Sequence, residues 1–206
     1  MGRFGVIKME LVTGGAGFIG SHLVDSLVSK GLKVRVLDNF SSGREEFLEH
    51  HSGTNNIEIV VADLLDLDAV KGAMKGVHTV HHLAANPDIR LGTEITDTDL
   101  QQGTIATYNV LEAMRHNDVK RISFSSSSAI YGEASVMPTP ETYGPVLPIS
   151  LYGASKLASE ALISAWCGTF GGEAWIHRFA NIVGPRGTHG VIYDFIHKLK
   201  KDPTRL

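Results

Sequence analysis

The stretch TGGAGFIG, residues 13–20, joins a run typical of a β-strand, KMELVTG (8–14), to a run typical of an α-helix, FIGSHLVDSLVSKG (18–31). Its glycines recur at every third position: Gly14, Gly17 and Gly20. Without side chains the turn can be tight, and a pyrophosphate can approach the helix N-terminus, where free N–H groups favour negative charge. A glycine-rich turn alone is weak support, but a position between a strand and a helix is what a dinucleotide site requires. The stretch therefore predicts a dinucleotide phosphate site.

Outward from this turn, short β-rich runs alternate with longer helical patterns. Further strands are predicted at 33–38, 57–63, 78–84, 119–128 and 173–180, and further helices at 67–76, 96–118, 150–169 and 191–201. Such alternation implies βαβ units, a parallel sheet and helices on both faces. The fold class is therefore α/β, a doubly wound parallel sheet of Rossmann type. We assign residues 1–180 to a cofactor-binding domain and 181–206 to the start of a substrate-binding portion.

The second strand ends in an acid, Asp38, 18 residues after Gly20. A carboxylate there can accept hydrogen bonds from both hydroxyls of an adenosine ribose and would repel a 2′-phosphate, so NAD is favoured over NADP. The alternative is that Asp38 only shapes a strand-end turn. Ligands of such sheets bind at the carboxyl ends of the strands. The remaining candidate cofactor residues therefore follow strand ends or line the first turn: Phe18, Ile19, Asn39, Ser41, Ser42, Gly43, Asp63, Leu64, Leu83, Ala84, Ala85 and Asn86.

The run ISLYGASKLA (149–158) places Tyr152 and Lys156 four residues apart. On a helix these positions share one face. An ammonium near a phenol favours the phenolate, which brings tyrosine closer to general acid/base work at neutral pH. The alternative is an accidental surface pair, so the interpretation needs support from elsewhere in the chain.

The bulk properties restrict the class of partner. The chain has 206 residues, of which 43% are hydrophobic and 20% charged, and a formal net charge of −3. The absence of a basic run disfavours a nucleic-acid surface, and no apolar run approaches the ~20 residues that span a bilayer. A single cysteine, Cys167, fits a reducing cytoplasm. The ten histidines are scattered, and the pairs His50-His51 and His81-His82 are adjacent rather than spaced i, i+4 as in a helical metal site, so no metal is expected.

Taken together, these motifs resemble the extended short-chain dehydrogenase/reductases, and within them the NAD-dependent epimerase/dehydratase family. The likeness is greatest to UDP-glucose 4-epimerases and extends over essentially the whole chain. The segments that carry it are TGGAGFIGSHLVDSL, DNFSSG, ADLLD, HHLAANPDIR, SSSSAIYGE, YGASK and RFANIVGPRG.

The resemblance implies a catalytic set of Ser127, Tyr152 and Lys156. Tyr152 would remove the proton from the sugar 4-hydroxyl, Lys156 would bind the nicotinamide ribose and Ser127 would bond the reacting oxygen. Asn181 would hold the phosphates of a UDP-sugar, unless it only ends its strand in a turn. The resemblance further implies a homodimer through a four-helix bundle, built from the helices around 96–116 and 151–169.

Two points separate this chain from its relatives. Sugar 4,6-dehydratases and related decarboxylases need acids just after the catalytic hydroxyl, whereas Ser128 and Ala129 follow Ser127 and Glu133 lies outside the matching register. Epimerisation is therefore favoured. Gly103 stands where relatives often have asparagine, and the resemblance implies that most of a C-terminal substrate domain lies beyond residue 206. An NAD-binding module without turnover, or a reductase or dehydratase acting on another nucleotide sugar, remain alternatives.

Overall fold

A computed structural model describes residues 8–188 and 190–205. Six parallel strands form one sheet in the order β3-β2-β1-β4-β5-β6. The strands are β1 (Met9–Thr13), β2 (Lys33–Asp38), β3 (Ile57–Val61), β4 (Val77–His82), β5 (Arg121–Ser127) and β6 (Glu173–Phe179). The helices are α1 (Phe18–Ser29), α2 (Leu67–Ala73), α3 (Leu91–Glu94), α4 (Ala106–His116), α5 (Leu151–Phe170) and α6 (Val191–Lys201). The predicted fold class is confirmed.

The sheet is buried on both faces because successive side chains of a strand point to opposite sides. In β1, Leu11 packs with α2, α4 and α5, whereas the next residue, Val12, packs with α1 and β2. Two apolar cores thus sandwich the sheet. The strand order reverses between β1 and β4, and such a switch point opens a crevice at the carboxyl ends of the strands.

The predicted helix 96–118 differs from what is observed. A π-helix, Leu100–Ile105, precedes α4 and contains the buried Gly103. A Cβ on Gly103 would lie 2.6 Å from Ser155 Oγ, so the missing side chain lets this segment pack closely on α5. The carbonyl of Gly103 also accepts a hydrogen bond of 2.7 Å from Thr107 Oγ1. Gly103 therefore marks a close contact between the π-helix and α5.

In the described part of the chain, none of the helices is both long and apolar enough to cross a bilayer.

Candidate active site

One cavity of about 580 Å³ opens at the carboxyl ends of the strands. It brings together residues from the glycine turn, from strand ends and from α5. Of the predicted residues, it is lined by Gly14, Gly17, Phe18, Ile19, Gly20, Asp38, Asn39, Ser41, Ser42, Gly43, Leu64, Leu83, Ala84, Ala85, Asn86, Ser127, Tyr152, Lys156 and Asn181. Asp63 is outside this lining, but its carboxylate accepts a hydrogen bond of 2.8 Å from Asn39 Nδ2 and so supports a lining residue.

The glycine turn leaves room that a side chain would fill. Gly14 has φ +70°, and a Cβ there would lie 2.8 Å from the backbone nitrogen of Ala84. A Cβ on Gly20 would collide with the backbone of Gly14 and Gly15. Helix α1 starts after Gly17 with no side-chain cap, so its first N–H groups are available to an anion. This cradle fits the pyrophosphate of a dinucleotide.

Asp38 serves both the turn and the cavity. Asp38 is only 8% exposed, and its carboxylate accepts hydrogen bonds of 2.9 Å from the backbone nitrogens of Ala16 and Phe40. A carboxylate has about four acceptor sites, so these two bonds leave capacity for ribose hydroxyls. A Cβ on Gly43 would lie 2.9 Å from Asp38 Oδ1. A ligand hydroxyl can therefore approach this oxygen only because Gly43 lacks a side chain.

Helix α5 presents Tyr152 and Lys156 to the cavity. The helix starts where Ser150 Oγ accepts a hydrogen bond of 3.0 Å from Gly153 N, and it ends at Gly171 with φ +70°. Lys156 is 3% exposed, and its Nζ donates a hydrogen bond of 2.7 Å to the carbonyl of Ser125. The same Nζ lies 5.8 Å from the centre of the Tyr152 ring. Lys156 is therefore buried, Tyr152 is partly buried beside it, and both line the cavity, which argues against an accidental surface pair.

The pKa values of this pair differ from the expected pattern. Burial lowers the pKa of Lys156 to about 8, with Asp99 acting in the opposite direction. Burial also raises the pKa of Tyr152; a hydrogen bond with Ser127 lowers it, and the charge of Asp99 raises it further. In this structure desolvation of the phenol dominates, so the pKa of Tyr152 is shifted upward, in the direction opposite to that expected from the Lys156 ammonium.

Ser127 ends β5 and lies beside the tyrosine. Its Oγ accepts a hydrogen bond of 3.1 Å from Ala129 N. The preceding residue, Ser126, donates a hydrogen bond of 2.5 Å to Glu160 of α5, and Glu160 forms an ion pair of 2.8 Å with Arg178 of β6. This partly buried network connects α5, β5 and β6 next to Ser127.

One residue at this site was not expected from the sequence. Asp99 is 2% exposed, and its Oδ1 accepts a hydrogen bond of 3.1 Å from Asn86 Nδ2. Its Oδ2 is buried without a hydrogen-bond partner among the described residues. Its negative charge acts on both Tyr152 and Lys156. In the sequence it is one acid of the polar run TDTD, and nothing in that run marks it as buried.

The profile of the family described as "NAD dependent epimerase/dehydratase family" matches residues 10–205, almost the whole chain. The chain belongs to this family. Its description names NAD, so the expected cofactor is confirmed at the level of the family. Within the cavity, the glycine cradle, the α1 N-terminus and Asp38 would hold that cofactor.

Several similar proteins are named as UDP-sugar 4-epimerases. A crystal structure of a UDP-galactose 4-epimerase is 48% identical with a TM-score of 0.85, and the match covers 95% of this chain and 63% of that one. A Thermus thermophilus UDP-glucose 4-epimerase in complex with NAD is 35% identical with a TM-score of 0.81, over 88% of this chain and 58% of that one. The UDP-glucose 4-epimerase of Corynebacterium glutamicum is 33% identical over 87% of this chain and 53% of its own length.

A decarboxylase is similarly related. UDP-glucuronic acid decarboxylase 1 of Xenopus tropicalis is 35% identical over 87% of this chain and 42% of its own length. The chain thus spans between about two fifths and two thirds of the length of these relatives.

Proposed function

We propose that this chain carries the cofactor site and catalytic residues of an NAD-dependent nucleotide-sugar 4-epimerase of the UDP-glucose/UDP-galactose type. The observation that carries the proposal is that Ser127, Tyr152 and Lys156 line the same cavity as the glycine cradle. A hydroxyl, a phenol and an ammonium therefore surround the place where a sugar would meet the cofactor.

The residues divide the chemistry at the sugar C4 position. Tyr152 takes the hydroxyl proton, and Ser127 hydrogen-bonds the same oxygen as it becomes a carbonyl. When bound, NAD would supply the acceptor and donor of the C4 hydride, and its positive charge would favour the Tyr152 phenolate. Tyr152 would hold the abstracted proton and give it back to the same oxygen in the epimeric product. With a pKa of about 8, Lys156 is mostly protonated at neutral pH and supplies positive charge inside the cavity.

The residues after Ser127 favour epimerisation over the related reactions. Elimination of water needs acid/base groups beside the reacting carbon. Ser128 and Ala129 lack them, and Glu133 is exposed and does not line the cavity. This supports an epimerase over a dehydratase or a decarboxylase.

The test is incubation with NAD and UDP-galactose, followed by chromatography of UDP-glucose and by absorbance of reduced nicotinamide. We expect UDP-glucose without net NADH. Y152F should lose about 10²–10⁴-fold in rate and keep NAD binding, whereas Y108F, at an exposed position on α4, should keep both. Net NADH would indicate net oxidation of the sugar by an oxidoreductase, and products from UDP-glucuronate or dTDP-glucose would indicate a decarboxylase or a dehydratase. NAD binding without any turnover would favour a cofactor-binding module.

We also propose that the protein is a cytoplasmic homodimer. Ile105, just before α4, is 38% exposed. Tyr108 on α4 is 50% exposed, and Leu151 of α5 is 49% exposed. These apolar side chains suit the expected four-helix contact. Sedimentation should give the dimer mass for the wild type and the monomer mass for I105R. An unchanged mass for I105R would contradict this interface.

A further inference from the structure

Three metal-binding side chains converge outside the active-site cavity. His50 and His51 lie in the 3-10 turn Glu49–His51, and Asp25 lies in α1. His50 Nε2 is 2.8 Å and His51 Nε2 is 2.7 Å from the same oxygen, Asp25 Oδ1. One donor atom from each of the three residues lies within 4.8 Å of the others. The spacing argument missed this group because the third member is 25 residues away along the chain.

The donor set matches a borderline divalent cation. Two imidazoles and one carboxylate are the ligands that Zn²⁺ takes in open sites, with a water completing the tetrahedron. At bond lengths of about 2.0–2.1 Å, tetrahedral ligands are about 3.3 Å apart. The two histidine–aspartate pairs are roughly half an ångström closer than this, so small side-chain rotations would make room for an ion.

Burial and support also suit such a site. The side chain of His51 is 10% exposed, whereas those of Asp25 and His50 are 30% and 48% exposed, so one ligand is anchored and solvent reaches the other two. Arg186 Nη1 lies 2.8 Å from Asp25 Oδ2 and orients the carboxylate while leaving Oδ1 to face the histidines. Ligating carboxylates are commonly held in this way by an outer partner. The positive charge of Arg186 opposes a second cation, so we expect moderate affinity.

We propose that Asp25, His50 and His51 form a binding site for a divalent transition-metal ion of the Zn²⁺ class. The ion would replace the two histidine hydrogen bonds to Asp25 and join the 3-10 turn to α1. The site adjoins the segment 180–188, because Arg186 belongs to that segment and His22 Nε2 lies 2.9 Å from the carbonyl of Pro185. That segment contributes Asn181, Gly184 and Gly187 to the cavity wall. A bound ion would therefore stabilise a support of the active site without touching it.

The experiment is a titration of tag-free, chelator-treated protein with zinc chloride in a calorimeter. We expect one ion per chain, a loss of affinity of at least 10-fold in H50N and in H51N, and no change in H116N, whose histidine is exposed on α4. Because the His50 side chain is half-exposed, H50N should fold and test the proposal even if H51N, at a buried position, folds poorly.

Titration with cobalt chloride gives a second readout. A tetrahedral site of nitrogen and oxygen ligands should give the intense visible absorption of four-coordinate Co²⁺ in the wild type, and this absorption should disappear in H50N. Absence of saturable binding, or equal binding by the wild type and H50N, would overturn the proposal. Neither result would bear on the proposed epimerase activity, which is assayed separately.

Discussion

The substitution Lys156→Met tests the electrostatics of the active site through protein stability. Lys156 is 3% exposed, and burial lowers its pKa from 10.5 to about 8. Each tenfold change in proton affinity corresponds to about 1.4 kcal/mol, so holding this lysine charged costs the folded state about 3 kcal/mol at neutral pH. Methionine removes that cost but also removes the hydrogen bond to the carbonyl of Ser125, worth roughly 1.5–3 kcal/mol. At pH 7.5 we expect K156M to lie within about 2 kcal/mol of the wild type.

The stability of the wild type should depend on pH through Lys156. The unfolded chain keeps this lysine protonated up to about pH 10.5, whereas the folded chain releases the proton near pH 8. The unfolded state then binds more protons between these values, so the stability of the wild type rises with pH in this window. Relative to K156M, the wild type should gain about 3 kcal/mol between pH 7.5 and 10.5.

The assay is urea unfolding followed by circular dichroism at several pH values across this window. K75M is the matched control, because Lys75 is exposed and its substitution should leave the pH dependence of stability unchanged. A constant difference between wild type and K156M at all pH values would refute the argument that burial depresses the pKa of Lys156.

Three further predictions concern buried groups. Burial lowers the pKa of His82 from 6.5 to about 3. As the pH falls, the unfolded state binds this proton before the folded state does, so the stability of the wild type should fall by about 1.4 kcal/mol per pH unit below pH 6.5. In unfolding curves measured at acid pH, H82Q should lack this slope. G103A should destabilise the protein by about 1 kcal/mol or more, because the new Cβ would meet Ser155. G72A, with open space around the new Cβ, should stabilise it by up to about 1 kcal/mol. Stabilisation by both variants in thermal unfolding would contradict the packing argument. D99N should lower the pKa of Lys156 further. The pKa is measured by NMR titration of ¹³C-labelled lysine, with K156M used to assign the Lys156 signal. An unchanged titration midpoint for Lys156 in D99N would show that Asp99 carries no charge that reaches it.

Local signals in the sequence were sufficient for much of the site. The glycines of the first turn, Asp38 at the end of β2 and the pair Tyr152–Lys156 were found from spacing within one βαβ unit or one helix. These residues can therefore be picked out as candidates from residue type and position alone. Ser127 was placed by its family motif, and the structure puts it at the end of β5, lining the same cavity.

Other features arise from contacts between distant segments. The π-helix around Gly103 exists beside Ser155, 52 residues later in the chain. Asp99 is an ordinary acid in a polar run until the fold buries it against Asn86. The same holds for Asp25, which meets His50 and His51 only when α1 packs beside the following 3-10 turn.

The sequence by itself therefore determined the strand–helix order, the nucleotide turn and the identity of the catalytic candidates, because these depend on short-range periodicity and motif spacing. Only the tertiary structure decided how those groups are charged. Whether Tyr152 is a stronger or a weaker acid than free tyrosine depends on the water removed from around it and on the charges that other segments bring near. Burial raises the pKa of this phenol, in the direction opposite to that expected from its lysine neighbour alone.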